Sequence, residues 1–190
     1  MKKILFVFAL MCAVLNVSAQ EDSKWNLKFG AGLSTLAGSD ADLEKYALSY
    51  KVGLGYEFGI SEKFAIEPAL MLSNKSLKEE GVEGTINRIY AEIPIMAAYK
   101  IALNDDMKII INAGPYVAYG LLGSDIEIYG EGSHNAFDVC ERFEAGVQAG
   151  VKFAFGNLSI GADFSRAFTK SIEDAEVYTQ GFGLTFGYNF

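Results

Sequence analysis

The sequence predicts an all-β fold, an eight-stranded antiparallel up-and-down transmembrane β-barrel. Three observations lead to this prediction. Apolar residues alternate with small or polar residues in eight segments, and alternation with a period of two is the pattern of a β-strand. Aromatic residues stand near both ends of the apolar face of these segments. The other face is rich in glycine, alanine and serine, which suit the narrow interior of a small barrel.

The first 19 residues differ from everything after them and predict a signal peptide. Lys2 and Lys3 precede an apolar stretch over 4–15, and Val17 and Ala19 are small residues at the positions before a cleavage site. The apolar stretch is shorter than the ~20 residues of a transmembrane helix. A lipoprotein anchored at Cys12 is the alternative, but the preceding residue is the bulky Met11. We therefore expect a signal peptide at 1–19 and a barrel domain at 20–190.

The first four strands follow in order from residue 25. The run at 25–34 starts at Trp25 and places Lys28 on its polar face. The second, at 48–60, alternates large apolar residues with Gly53, Gly55 and other small residues. The third and fourth, at 64–73 and 89–101, place alanine, methionine and glutamate between their apolar residues. Each run is long enough for the 9–11 residues that a membrane-spanning strand needs.

The last four strands show the same pattern. The runs lie at 108–121, 142–155, 158–165 and 181–190. The final one is the most regular, because every second residue from Phe182 to Phe190 is large and apolar. No segment shows a helical period, so the pattern predicts strands throughout.

The connections between these runs alternate in length. Short turns are expected at 61–63, 102–106 and 156–157, and longer loops at 37–47, 78–84, 122–139 and 169–176. In an up-and-down barrel, alternate connections lie at opposite ends. We therefore expect short periplasmic turns and longer extracellular loops, the arrangement of bacterial transmembrane barrels.

The polar face also carries charges, and these predict a structural network inside the barrel. Repeated glycine weakens a strand without benefit on a solvated surface, so we place this face inside and the apolar face against lipid. In the simplest register Lys28 faces Glu57, and Glu57 faces Glu67. The predicted lumen network comprises Lys28, Glu57, Glu67, Glu92, Arg142, Glu144, Lys152 and Asp163.

The apolar face has two bands of aromatic residues around an aliphatic middle, which is the signature of a transmembrane barrel. The band at the short-turn end comprises Trp25, Phe58, Phe64, Tyr99, Phe153, Phe155, Tyr188 and Phe190. The band at the long-loop end comprises Tyr50, Tyr119, Phe143 and Tyr178. The two bands fit the two water–lipid interfaces of a bilayer.

Charge and cysteine content exclude several classes of function. The formal charge is 16 − 24 = −8, and loss of Lys2 and Lys3 makes it 14 − 24 = −10. An acidic chain is a poor nucleic-acid binder, because phosphate contacts need clustered lysine and arginine. Cys140 remains alone once Cys12 is removed, so no internal disulfide is expected.

Four stretches resemble the PorT-like outer-membrane β-barrel family of Bacteroidota. They are "RIYAEIPIMAAYKI" at 88–101, "AGPYVAYGLLG" at 113–123, "CERFEAGVQAGVKFAFGNLSIGADFSRAFT" at 140–169 and the closing strand. The resemblance covers nearly all of the chain after residue 19, and its most specific pieces are "EIP" and "GPY". It implies an eight-stranded barrel similar in shape to the OmpX and OmpA barrels. It also implies that Phe186, Tyr188 and Phe190 form the C-terminal signal that the barrel assembly machinery reads. The namesake's association with a secretion system is not carried over.

The leading functional hypothesis is a non-enzymatic protein of the cell outer membrane that presents surface loops, for adhesion, envelope integrity or association with another envelope complex. We expect a monomer without cofactor or bound metal. Its expected partners are membrane lipid, lipopolysaccharide and, during biogenesis, periplasmic chaperones and the barrel assembly machinery.

Three other functions remain open. A narrow channel is one alternative, although eight strands leave an interior that side chains can fill. A lipid-modifying enzyme using His134, next to Ser133 in the longest loop, is another. A soluble periplasmic barrel is the third. The acidic residues of that loop, among them Asp125, Glu127 and Glu131, also raise weak Ca²⁺ binding as an alternative to simple solvation.

Overall fold

The computed structural model describes residues 24–39, 45–78, 85–128, 132–172 and 175–190. The predicted signal peptide at 1–19 lies outside the described residues, and so does Glu131 of the acidic loop.

The described chain forms eight long strands, one short hairpin and one helical turn. The long strands are β1 (Lys24–Gly38), β2 (Ala47–Gly59), β3 (Phe64–Asn74), β4 (Arg88–Ala102), β5 (Met107–Gly123), β8 (Phe143–Phe155), β9 (Leu158–Ala167) and β10 (Val177–Asn189). The hairpin joins β6 (Asp125–Ile128) to β7 (Gly132–Asn135), and α1 (Ala136–Val139) follows it.

The eight long strands close into an antiparallel barrel in the order β1-β10-β9-β8-β5-β4-β3-β2. Each strand pairs with its neighbour in sequence once the β6–β7 hairpin is set aside, and β10 returns to pair with β1 from Asn26↔Asn189 to Gly38↔Val177. The predicted eight-stranded up-and-down barrel is therefore confirmed. Closure leaves no long strand edge unpaired, which removes the aggregation risk of an open sheet.

The outward and inward faces follow the alternation in the sequence. Large apolar side chains on the outer face are open to their surroundings; Trp25 is 57% exposed, Leu54 51% and Phe186 48%. Inward-facing residues such as Glu92 and Tyr90 are almost fully buried. The barrel is thus inverted relative to a soluble protein, as lipid requires. Among the described residues, no helix is long and apolar enough to cross a membrane.

The long-loop end differs most from the sequence-based expectation, because the described parts of its loops pack into apolar clusters. One apolar cluster there contains Leu36, Leu77, Ile86, Ala136 and Val177. A second contains Tyr90, Tyr116, Ala118, Phe137 and Cys140. Leu77 pairs with Ile86 and Cys140 with Ile172 through isolated β-bridges. We call these two clusters together the cap, since they cover the lumen below them.

Candidate functional site: the charged lumen and its cap

The upper lumen is organised around Lys75, which follows β3 by one residue. Its ammonium group lies 2.5 Å from Glu144 Oε1 and 2.8 Å from Glu92 Oε2. Tyr116 donates its hydroxyl to the same Glu144 oxygen at 2.7 Å, and Gln148 donates to Glu92 at 2.5 Å. Burial alone would lower the pKa of Lys75, but the carboxylates of Glu144 and Glu92 raise it above its ordinary value. Lys75 is therefore a fixed cation that ties β3 to β4 and β8.

Arg88 extends this upper cluster toward the cap. Its side chain is fully buried and its guanidinium lies 5.5 Å from the centroid of the Tyr90 ring. It donates to Thr179 Oγ1 at 3.3 Å and to the carbonyl of Lys75 at 3.4 Å. Arg88 thereby links the start of β4 to β10 across the barrel.

The middle of the lumen holds one ion pair. Lys51 on β2 donates to both oxygens of Asp163 on β9, at 2.5 and 2.8 Å. Thr185 on β10 donates to the same carboxylate at 2.7 Å. Because β2 and β9 are not neighbours in the sheet, the Lys51–Asp163 pair crosses the interior of the barrel.

The lower lumen places two lysines on one carboxylate. Glu67 forms ion pairs with Lys28 and with Lys152, the latter at 3.4 Å. Closer to the short turns, Lys100 pairs with Glu57 at 2.6 Å. These contacts join β1, β2, β3, β4 and β8. Charged groups buried in this way are tolerable only when paired.

The structure brings seven of the eight predicted lumen residues inside the barrel. The register of β2 with β3 places Glu57 opposite Glu67, as predicted, but Lys28 does not face Glu57. Lys28 lies opposite Gly53, while Lys24 lies opposite Glu57. Lys28 therefore bonds to Glu67 instead of Glu57. Neighbouring strands determine register, whereas ion pairs form across the interior, so the simplest hairpin register did not predict the partners.

Arg142 is the predicted residue that does not join the network. β8 begins at Phe143, so Arg142 precedes the barrel wall and is exposed. Its guanidinium lies 4.7 Å from the centroid of the Phe137 ring and donates to the carbonyl of Gly120 at 3.2 Å. Arg142 thus holds the cap from above.

Sequence reasoning missed four cations of the network, namely Lys51, Lys75, Arg88 and Lys100. Lys51 and Lys100 stand between large apolar residues, so their position on the polar face was a sufficient signal. Lys75 and Arg88 lie at or beyond strand ends, where alternation no longer indicates which way a side chain points.

Phe137 anchors the cap. Asn135 caps α1 by accepting from the amide of Phe137 at 3.1 Å, and Asp138 accepts from the amide of Asn135 at 3.0 Å. The Phe137 ring packs edge-to-face on Tyr90, with centroids 5.6 Å apart. It also fills the space over Gly120, where an added Cβ would come within 2.3 Å of the ring. The short helix thus seats one aromatic ring in the barrel mouth.

The remaining space inside the lumen is small. Cavities of about 50, 40 and 20 Å³ lie between the ion pairs, and each holds at most a few water molecules. A wider cavity of about 200 Å³ lies at the short-turn end, beside Lys100 and Lys108. The larger space therefore lies at the short-turn end, and only small cavities remain between the ion pairs.

Phe186 and Tyr188 of the predicted C-terminal signal lie on the outer face of β10, and Phe190 directly follows that strand. Phe186 and Tyr188 are 48% and 42% exposed, and Phe190 is 66% exposed. The amide of Phe190 donates to the carbonyl of Trp25 at 2.9 Å, which continues the pairing of β10 with β1.

The described residues contain no cluster of three or more histidine, cysteine, aspartate or glutamate side chains placed to hold a metal ion. His134 lies on β7, paired with Ile126 on β6. The structure therefore places this histidine in the hairpin beyond the barrel wall.

Comparisons with known proteins extend these observations. A family model described as "Outer membrane protein beta-barrel domain" matches residues 4–190. Neisserial surface protein A is similar in structure at 9% identity and a TM-score of 0.55, over 87% of this chain and 97% of that chain. The outer membrane enzyme PagL is similar at 14% identity and a TM-score of 0.52, over 85% and 98%. The attachment invasion locus protein Ail of Yersinia pestis matches at 15% identity and a TM-score of 0.48, over 88% and 99%. At such identities the similarity shows the fold alone. A search of curated proteins gave no match.

Proposed function

Because the chain belongs to the outer membrane protein β-barrel family, we propose that it is a non-enzymatic barrel that presents its long loops on a closed, rigid support. The observation that carries the proposal is the obstructed lumen. Ion pairs cross it at three levels and the cap covers its long-loop end. A protein built in this way offers a surface, and not a passage, to its surroundings.

The proposed orientation puts the short turns in the periplasm and the capped end outside the cell. Short periplasmic turns and longer outer loops are the usual arrangement in this class of barrel. The proposal includes export by a signal peptide at 1–19 and membership of the PorT-like branch, which rest on the sequence pattern. It also includes a monomer in contact with lipid and lipopolysaccharide, assembled with the help of periplasmic chaperones and the barrel assembly machinery.

The cap supports the role in presenting loops. Its apolar clusters hold the loop bases to the barrel, so the loop tips start from fixed positions. Binding sites on loops commonly depend on such rigid supports. Adhesion, envelope integrity and association with an envelope complex all use a surface of this kind.

Planar-bilayer conductance of the purified protein tests the closed lumen. We expect no steady current from the natural protein. The double variant Lys51→Ala with Asp163→Ala removes the one ion pair that the described residues place in the middle of the lumen. Its conductance is compared with that of the natural protein, because its lumen has fewer side-chain atoms. Steady channels of tens of picosiemens in the natural protein would contradict the proposal and favour the narrow channel, which the polar lining of the interior would suit.

A lipid-modifying enzyme remains a second candidate because PagL, one of the similar structures, is an outer membrane enzyme. That similarity concerns the fold, so the enzyme hypothesis depends on His134. Lipid A from cells that overproduce the protein is compared with lipid A from cells that overproduce His134→Ala. A change of lipid A that depends on His134 would replace the non-enzymatic proposal.

A further inference from the structure

Arg166 stands on the outer face of the barrel, where its neighbours face lipid. Along β9, Ser165 lines the lumen and Ala167 is buried, while Phe164 and Phe168 alternate with them on the outer side. Arg166 shares the outer parity of the two phenylalanines and is exposed. Along β9, this cation therefore lies between two phenylalanines of the outer face.

The described neighbours of Arg166 are polar, but none of them forms an ion pair with it. Its guanidinium donates to Gln180 Oε1 on β10 at 3.2 Å. Thr35 on β1 is the next residue in the same row, and its hydroxyl donates to the carbonyl of Lys45 at 2.9 Å. None of the ion pairs among the described residues includes Arg166. Its charge therefore faces outward without an ion-pair partner in the described part of the chain.

The position of Arg166 along β9 indicates how deep its charge lies in the membrane. Arg166 is the second-last residue of β9, at the long-loop end, and Phe168 follows it on the same face at 64% exposure. An arginine on the lipid face costs ~2–4 kcal/mol at the bilayer midplane but ~0–1 kcal/mol near the interface. Arg166 thus lies at the depth where lipid acyl chains meet their headgroups, and an anion there would pair with it.

A row of small residues, which we call the alanine trough, crosses the outer wall from Phe164, two residues below Arg166 on β9. Phe164 lies beside Ala149 on β8, Ala149 beside Ala113 on β5, and Ala113 beside Ala97 on β4. All three alanines are exposed. Larger residues border the row on both sides, with Val147, Pro115 and Ile95 above and Val151, Ile111 and Tyr99 below.

The trough slopes into the membrane. Phe164 is three residues from the upper end of β9, whereas Ala97 is closer to the lower end of β4 than to its upper end. Strands tilt by ~35–45° in such barrels, so a row across them descends obliquely. A lipid whose headgroup sits at Arg166 would therefore find a track of small residues for an acyl chain.

We propose that Arg166 and Gln180 bind the phosphate of a lipid A molecule in the outer leaflet, and that the alanine trough of Ala149, Ala113 and Ala97 receives one of its acyl chains. This inference rests on the proposed outer-membrane orientation, because only that orientation puts the long-loop end in the glycolipid leaflet. A guanidinium and an amide NH₂ next to each other are suited to phosphate oxygens. Phe164 and Phe182, with ring centroids 4.9 Å apart, form the apolar floor beneath the headgroup.

The test uses the full chain, expressed with its signal sequence and purified from membranes in detergent. Binding of bisphosphorylated lipid A, dephosphorylated lipid A and phosphatidylglycerol is measured by native mass spectrometry. Arg166→Gln is expected to weaken binding of phosphorylated lipid A about fivefold, the effect that one basic residue supports at a charged membrane surface. Binding of the dephosphorylated form should not change. Ala113→Leu, which fills the trough, should weaken both forms.

Two matched variants serve as controls. Lys63→Gln removes an exposed cation at the short-turn end, and Ala31→Leu enlarges an outward alanine on β1, away from the trough. Both should bind as the natural protein does. Equal binding by Arg166→Gln, an equal loss in Lys63→Gln, or an equal dependence on Arg166 for phosphatidylglycerol would overturn the inference. Conductance and outer-membrane fractionation are measured on the same samples, so a folded, non-conducting barrel that fails only the lipid test leaves the proposed function intact.

Discussion

Replacing Phe137 by alanine should open the cap while leaving the barrel wall closed. Phe137 is 8% exposed and contacts Tyr90 from inside the barrel mouth and Arg142 from outside. None of the backbone pairs that close the eight strands involves it. The substitution therefore removes the principal side chain by which α1 holds the mouth.

The magnitude follows from the burial of the ring. Truncation of a buried phenylalanine to alanine costs about 3–5 kcal/mol. The lower end applies here, because the loop can relax into the space that the ring leaves. A loss of about 3 kcal/mol from the closed state raises the open population about 100-fold.

Cys140 reports this opening directly. It is 5% exposed, belongs to the same apolar cluster as Phe137 and forms no disulfide within the part of the chain that the structure describes. The rate of maleimide labelling is measured on the folded protein in detergent, and full labelling in denaturant gives the end point. Phe137→Ala should label about 100-fold faster than the natural protein.

Phe143→Ala is the matched control, because Phe143 lies near the same end but is 53% exposed on the outer face. Its labelling rate should remain that of the natural protein. Heat-modifiable migration in gels verifies that both variants keep a folded barrel. A labelling rate of Phe137→Ala within twofold of the natural protein would refute the role of Phe137 as the anchor of the cap.

Three further predictions concern the lumen and the strand seam. Lys75→Met leaves the carboxylates of Glu92 and Glu144 buried without their cation. The free energy of unfolding in urea should therefore fall by about 3–5 kcal/mol. Lys78→Met, which removes an exposed lysine, should leave the free energy of unfolding unchanged. Gly32→Ala places a Cβ 2.0 Å from the carbonyl oxygen of Phe182 and should cost about 1–3 kcal/mol in the same measurement; Gly183→Ala, whose Cβ would lie 3.1 Å from the nearest atom, should cost less. Deletion of Phe190 should lower the amount of protein in the outer-membrane fraction without lowering export to the periplasm, and normal assembly of the truncated chain would contradict its role as an assembly signal.

The barrel was predictable because its information is spread along the chain. Eight segments repeat one period, and each contributes the same two faces, so an error in one segment does not change the conclusion. Strands β6 and β7 and helix α1 contain four residues each. Elements of this length are too short to show a periodic pattern in the sequence. The capping pair Asn135 and Asp138 was a local signal for α1 that alternation analysis did not use.

The lumen was predictable as a face but not as a set of contacts. The alternation of residues along a strand assigns Lys28, Glu67 and Lys152 to the interior, because each side chain must face either the lumen or the lipid. Which cation meets which carboxylate depends on the tilt and stagger of strands that are distant in sequence. Lys75 shows this most clearly, since its partners Glu92 and Glu144 come from β4 and β8.

The pairing of β1 with β10 also determines when the barrel can close. The seam joins Asn26 to Asn189, so the contact that completes the barrel has the largest sequence separation of the strand pairs in the described barrel. The ribosome releases β10, the last partner of β1, only after all the other barrel strands. Until then β1 keeps a free edge and an apolar face in water, a state prone to aggregation. Closure therefore comes after the synthesis of every other barrel strand, and the unclosed chain needs protection until β10 pairs with β1.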